Sequence, residues 1–110
     1  MARSGRVVPF KLRVLAAVAA IPHGRVTTYG AIGRHLKVTA RQVAFVLATL
    51  TGKESERLPW FRVVAAHGVI STTKLGAVGR RQIARLRAEG IAVTPRNKVE
   101  DFGVIAWSPG

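Results

Sequence analysis

Thr27-Thr28-Tyr29-Gly30-Ala31-Ile32-Gly33-Arg34-His35-Leu36-Lys37-Val38-Thr39-Ala40-Arg41-Gln42-Val43 is the stretch on which the fold turns. A hydroxyl residue suited to capping, Thr27 or Thr28, opens a short segment in which Tyr29, Ile32 and Leu36 recur at helical spacing. Thr39 then caps a second segment, whose apolar positions Val43, Val46 or Leu47, and Leu50 share one face. Two short helices joined by a tight turn in a basic context read as a helix-turn-helix.

Upstream, Pro9 can start a helix in which Phe10, Val14, Ala17 or Val18, and Ile21 keep helical spacing until Pro22-His23-Gly24 stops it. Downstream, Thr51 to Arg57 reads as a polar loop. Arg62 to Ala65 and Val69 to Ser71 then flank Ala66-His67-Gly68 as a hairpin, which would serve as a wing. Gly76 to Gly79 leads into a last helix with Ile83 and Leu86 inward and Gly90 as its terminal cap, and Ile91-Ala92-Val93 adds a strand. The expectation is one small, mainly helical α/β domain over residues 1–110, a winged helix-turn-helix with 1–8 and about 100–110 less ordered.

Charge narrows the partner. Lys and Arg number 18 against 5 acidic residues, a net charge of +13, so a polyanion is the natural ligand. Residues 1–53 hold nine of the cations and no Asp or Glu, so the amino-terminal half should face the phosphates. The longest apolar run, Val14 to Ile21, falls short of the roughly 18 residues of a membrane span, and a cytoplasmic protein, nucleoid-associated when bound to DNA, is expected. His23, His35 and His67 lack metal-ligand spacing, no serine stands in a nucleophile elbow, and no cofactor is expected.

Leu58-Pro59-Trp60-Phe61-Arg62-Val63-Val64 carries the chemistry. It resembles the Pro-Cys-His-Arg-Val active-site motif of the O6-alkylguanine-DNA alkyltransferases, with Trp60 where the alkyl-accepting cysteine would stand. The resemblance runs through Ile21-Pro22-His23-Gly24-Arg25-Val26-Thr27-Thr28-Tyr29-Gly30-Ala31-Ile32, Ala40-Arg41-Gln42-Val43, Arg81-Gln82 and Glu89-Gly90, and Trp107 is similar to the family's tail. The chain has no cysteine, so transfer of an alkyl group to a thiolate is excluded. The pattern is similar to that of the alkyltransferase-like proteins, which do not repair the lesion themselves.

The resemblance implies non-catalytic recognition of O6-alkylguanine in duplex DNA, by flipping the nucleotide into a pocket. Trp60, Val63 and Leu47 would form that pocket, Val63 by offering backbone polar groups to the base edge, with Tyr29 at its mouth, Arg62 ordering its loop and the segment Ser71 to Gly79 closing over the base. Arg41 would enter the duplex in place of the extruded nucleotide, and Thr28, Tyr29, Thr39, Ala40 and Gln42 would lie against the DNA. Arg41 in the first turn of its helix supports this, because the macrodipole there disfavours a cation and points to a role outside the helix. The positions of the family's cysteine, histidine and glutamate relay correspond to Trp60, Phe61 and Glu89, so two of the three are gone, and Phe61 departs even from the alkyltransferase-like pattern. The turn between Tyr29 and Arg41 is also somewhat shorter than the family's usual spacing. A further implication is handover of the lesion to nucleotide excision repair proteins by a monomeric binder. Charge and helix-turn-helix alone would equally suit a winged-helix transcriptional regulator, which the pocket residues argue against.

Overall fold

The computed structural model describes residues 9–70 and 76–110, so the expected fraying of 1–8 lies outside the described residues. The helices are α1 (Phe10–Ala19), α2 (Tyr29–Leu36), α3 (Ala40–Ala48), α4 (Gly52–Arg57), α5 (Ala77–Ala88) and α6 (Phe102–Ile105). The strands are β1 (Thr27–Thr28) and β2 (Val63–Val64), with 3-10 turns at Trp60–Arg62 and Ala66–Gly68.

The helix-turn-helix forms as its caps dictate. Thr28 Oγ1 accepts from the Ala31 amide at 3.0 Å and starts α2. The helix ends with Lys37 in the left-handed region at φ 63°, and the Val38 amide donates back to the Gly33 carbonyl at 2.9 Å. Gly33 permits that turn: a Cβ there would lie 2.7 Å from the Val38 oxygen. Thr39 and Gln42 then form a reciprocal capping box that opens α3.

Two cores lie on either side of the short β1–β2 ribbon, which is parallel, with Thr27 opposite Val63 and Thr28 opposite Val64. Val14, Ala17, Val18 and Ile21 pack with Ile32, Leu36, Val43 and Val46. The second core joins Val26, Phe61, Val64, Ile70, Leu86, Ile91, Val93 and Val99. Successive strand residues point to opposite faces, so Val63 belongs to the first core and Val64 to the second. Each such fully buried aliphatic contributes about 1.5–3 kcal/mol, and β2 stitches the two halves together.

Three expectations need correction. Thr51 to Arg57 is not a loop but α4, because Thr51 and Glu54 make a second capping box and Glu54 also pairs with Lys11 of α1 at 3.1 Å. The hairpin does not form a ladder. Val63–Val64 bonds to β1 instead, Ala66–Gly68 makes a tight turn with His67 at φ 63°, and one bond from the Ala65 amide to the Val69 carbonyl closes it. Val69 pairs with Lys98 and Val93 with Val99 as single antiparallel bridges, so the strand expected over 91–93 is reduced to one such contact; Ser71 lies outside the described residues. Residues 100–110 pack through Phe102, Ile105 and Trp107, and the Trp107 amide donates to the Val26 carbonyl at 2.7 Å.

Candidate nucleic-acid site

Trp60 stands on a single 3-10 turn between Pro59 and β2, and three anchors hold that turn. From α5, the buried side chain of Gln82 donates to the carbonyls of Phe61 at 3.0 Å and Val63 at 2.9 Å. From the other side, Arg62 donates to the Ile21 carbonyl at 2.8 Å and to both carboxylate oxygens of Glu89. Beneath it, Phe61 is buried in the second core and meets the indole edge to face, ring centres 6.0 Å apart at 88°. The guanidinium carbons of Arg62 and Arg85 lie 5.4 and 5.3 Å from the centre of the Phe61 ring. The indole is thus partly exposed on a rigid support.

Glu89 closes the brace. Its Oε1 also accepts from the Gly24 amide at 3.1 Å, and His23 lies 4.0 Å away. Burial acts to raise the Glu89 carboxyl. The hydrogen bonds from Arg62 and Gly24, with the charges of Arg62 and His23, outweigh it and hold the group below its ordinary 4.5.

A cleft of about 270 Å³ opens beside the indole, lined by Trp60, Tyr29 of α2, Leu47 with Ala44 and Ala48 of α3, and Val78 with Arg81 of α5. Leu50 and Ser55 complete the wall. The volume sits near the lower end of small-molecule sites, roughly 300–1,000 Å³, and suits one planar ring system with a short substituent. Its lining is mostly apolar. Trp60, Tyr29 and Leu47, separated widely in sequence, meet at this one cleft.

Val63 is not brought there. Its side chain is wholly buried in the first core, its amide donates to the Trp60 carbonyl and its carbonyl accepts from Gln82, so it shapes the turn instead of lining the cleft. Arg62 stands behind the turn, bonded to the Ile21 carbonyl and to Glu89, and does not line the cleft. Gln82 was not singled out from sequence, although a glutamine at a core-facing position of α5 was the available signal, because a buried amide needs partners. Of the segment Ser71 to Gly79, residues 71–75 lie outside the described residues, and Val78 enters the cleft wall from α5.

Arg41, Ala40, Thr39 and Gln42 are exposed around the start of α3, and Thr28 caps α2 beside Tyr29. Gln42 is partly committed, since its Oε1 accepts from the Thr39 amide at 2.9 Å. Among the described residues no cluster of His, Cys, Asp or Glu could hold a metal ion, and no helix is long and apolar enough to cross a membrane.

The fold and site define a class, and comparison with known proteins agrees. The family described as 6-O-methylguanine DNA methyltransferase, DNA binding domain, matches residues 9–91. A DNA base-flipping protein of Escherichia coli is 44% identical over 93 residues, 83% of this chain and 69% of that one. Alkyltransferase-like protein 1 of Schizosaccharomyces pombe is 37% identical over 90 residues, 80% of this chain and 82% of that one. The crystal structure of S. pombe Atl1 in complex with damaged DNA containing O6-carboxymethylguanine superposes with a TM-score of 0.77 at 33% identity, covering 91% of this chain and 95% of that one. The chain belongs to the 6-O-methylguanine DNA methyltransferase DNA-binding domain family, on its alkyltransferase-like side. The chain has no cysteine, hence no thiolate that could accept an alkyl group.

Proposed function

We propose that this protein recognises O6-alkylguanine in duplex DNA by rotating the damaged nucleotide out of the stack and holding it in the Trp60 cleft without chemical change. The observation that carries the reading is the placement of Trp60 on the braced turn at the edge of an apolar cleft, on the same side as Tyr29 and the helix bearing Arg41. A flat indole stacks on any base at about 1–3 kcal/mol, and this favours the extruded state. Extrusion itself costs a few kcal/mol, so the remaining drive comes from charge and from filling the vacated space. Arg41 is the candidate for filling, and Tyr29, at the first position of α2, is placed to contact the displaced nucleotide where it leaves the stack. Thr28, Thr39, Ala40 and Gln42 follow the DNA backbone around these two.

A binder that leaves the lesion in place benefits a cell only if its complex is read by another machine. The reading therefore includes handover to nucleotide excision repair proteins by a monomer acting in the cytoplasm or nucleoid. A flipped base and a bent duplex form a larger signal than one alkyl group. Binding to one duplex with and without a single O6-methylguanine tests the recognition step; equal affinity contradicts it. Alkylation sensitivity of the gene deletion in excision-repair-proficient and excision-repair-deficient cells tests the handover, and additive sensitivity contradicts it.

A further inference from the structure

Phe45 is 68% exposed, a large aromatic left in solvent on the second helix of the helix-turn-helix. Single exposed apolar residues are ordinary, so exposure alone decides nothing. Its neighbours do. At 100° per residue, Val43, Val46 and Leu47 turn toward the protein, and the opposite face of α3 consists of Arg41, Ala44, Phe45 and Ala48. Two alanines keep that face low, and from it only two long side chains rise, Arg41 and Phe45, one turn apart. Ala44 and Ala48 are also part of the cleft wall, so the Phe45 position borders the site.

We infer that Phe45 is a second insertion residue, an aromatic wedge that enters the base stack next to the pair disrupted by Arg41. This rests on the flipping mode proposed above and extends it. Four residues along a helix advance about 6 Å, which is close to two base-pair steps of about 3.4 Å, so both side chains can reach the same short stretch of duplex. Residues 1–53 contain no acidic side chain, so α3 itself presents no carboxylate to a phosphate backbone. An apolar ring on such a surface gains by leaving water for the gap between two bases, the behaviour of wedge residues that kink DNA. A protein partner would find the same ring flanked by two alanines and Arg41, a poorer fit than a polyanion with apolar base faces.

The test uses the full chain, its Phe45→Ala, Phe45→Leu and Phe45→Tyr variants, and duplexes with and without O6-methylguanine. 2-Aminopurine is placed one or two pairs from the lesion to report unstacking. Because Phe45 is exposed, the variants should fold, which thermal melting checks. Phe45→Ala is expected to weaken binding to the lesion duplex roughly 5- to 100-fold, the loss of one stacking contact, with Phe45→Leu between and Phe45→Tyr near wild type. The neighbouring 2-aminopurine should brighten with wild type and Phe45→Tyr and stay dark with Phe45→Ala. Wild-type discrimination for the lesion together with unchanged affinity and brightening in Phe45→Ala would overturn the wedge alone. If wild type itself fails to discriminate, the flipping mode and the wedge fall together.

Discussion

Glu89 is held by Arg62 through both carboxylate oxygens, with 9% and 14% of the two side chains exposed. In the relay that the alkyltransferase motif implies, a glutamate supports a histidine and a cysteine. Here the corresponding partners are Phe61 and Trp60, and the glutamate instead ties α5 to the motif and, through Gly24 and the Ile21 carbonyl, to the end of α1. The carboxylate of Glu89 thus braces the turn that presents the indole.

Breaking the brace should cost stability first. Arg62→Ala leaves a buried carboxylate without its partner and should destabilise by about 3–5 kcal/mol, read from urea denaturation. The pH dependence follows from the lowered carboxyl of Glu89. A depressed pKa contributes stability that is present above the ordinary 4.5 and is lost as pH falls through the lower folded value. Glu89→Gln should therefore flatten the stability profile below about pH 5. A profile with the same acid limb in both proteins would show that Glu89 is not the group responsible.

Much of this architecture was legible from residue type. Thr28 and Thr39 announced the two helices because a side-chain oxygen at the cap satisfies an otherwise orphaned amide. The Thr51 and Glu54 pair carried the same signal, but the polarity of the segment hid it, since all six residues of α4 lie away from the core. The burial of the Val63 side chain could not be read for a different reason. Adjacent residues of a strand face opposite ways, and only the pairing with β1 decides which core each enters; that pairing spans residues far apart in sequence. The expected hairpin failed likewise, because β2 found a partner in β1 before its own continuation. The motif order was enough to name Trp60, Tyr29 and Leu47, which meet at the cleft, whereas the two backbone carbonyls that Gln82 holds are far from it in sequence, and only an amide at a core-facing position hinted at them.

Gln82→Leu tests that indirect role. It removes both donors from the Phe61 and Val63 carbonyls and should cost about 1–3 kcal/mol for the groups left buried without partners. Lesion binding should fall as well, even though the side chain does not line the cleft. Loss of stability with undiminished lesion affinity, measured at a temperature where the variant is folded, would restrict Gln82 to structure.

Affinity for undamaged duplex should be weak and strongly salt-dependent, as a net charge of +13 requires. If about five phosphates are neutralised, binding should fall roughly 10²–10³-fold between about 50 and 200 mM salt. A log–log slope near zero would exclude that footprint.

No alkyl group should reach the protein. Intact mass should be unchanged after prolonged incubation with O6-methylguanine DNA. Trp60→Cys should acquire little activity, because Phe61 cannot relay a proton and Glu89 is engaged by Arg62. Rapid methylation of that single variant would refute the relay argument.

The most direct test of the account is the effect of Trp60→Ala on two duplexes that differ by one methyl group. Stacking on the indole is available only to an extruded base, so the variant should lose roughly 5- to 100-fold in affinity for the O6-methylguanine duplex and little for the unmodified one. An equal loss on both duplexes would make Trp60 a structural residue and contradict the pocket.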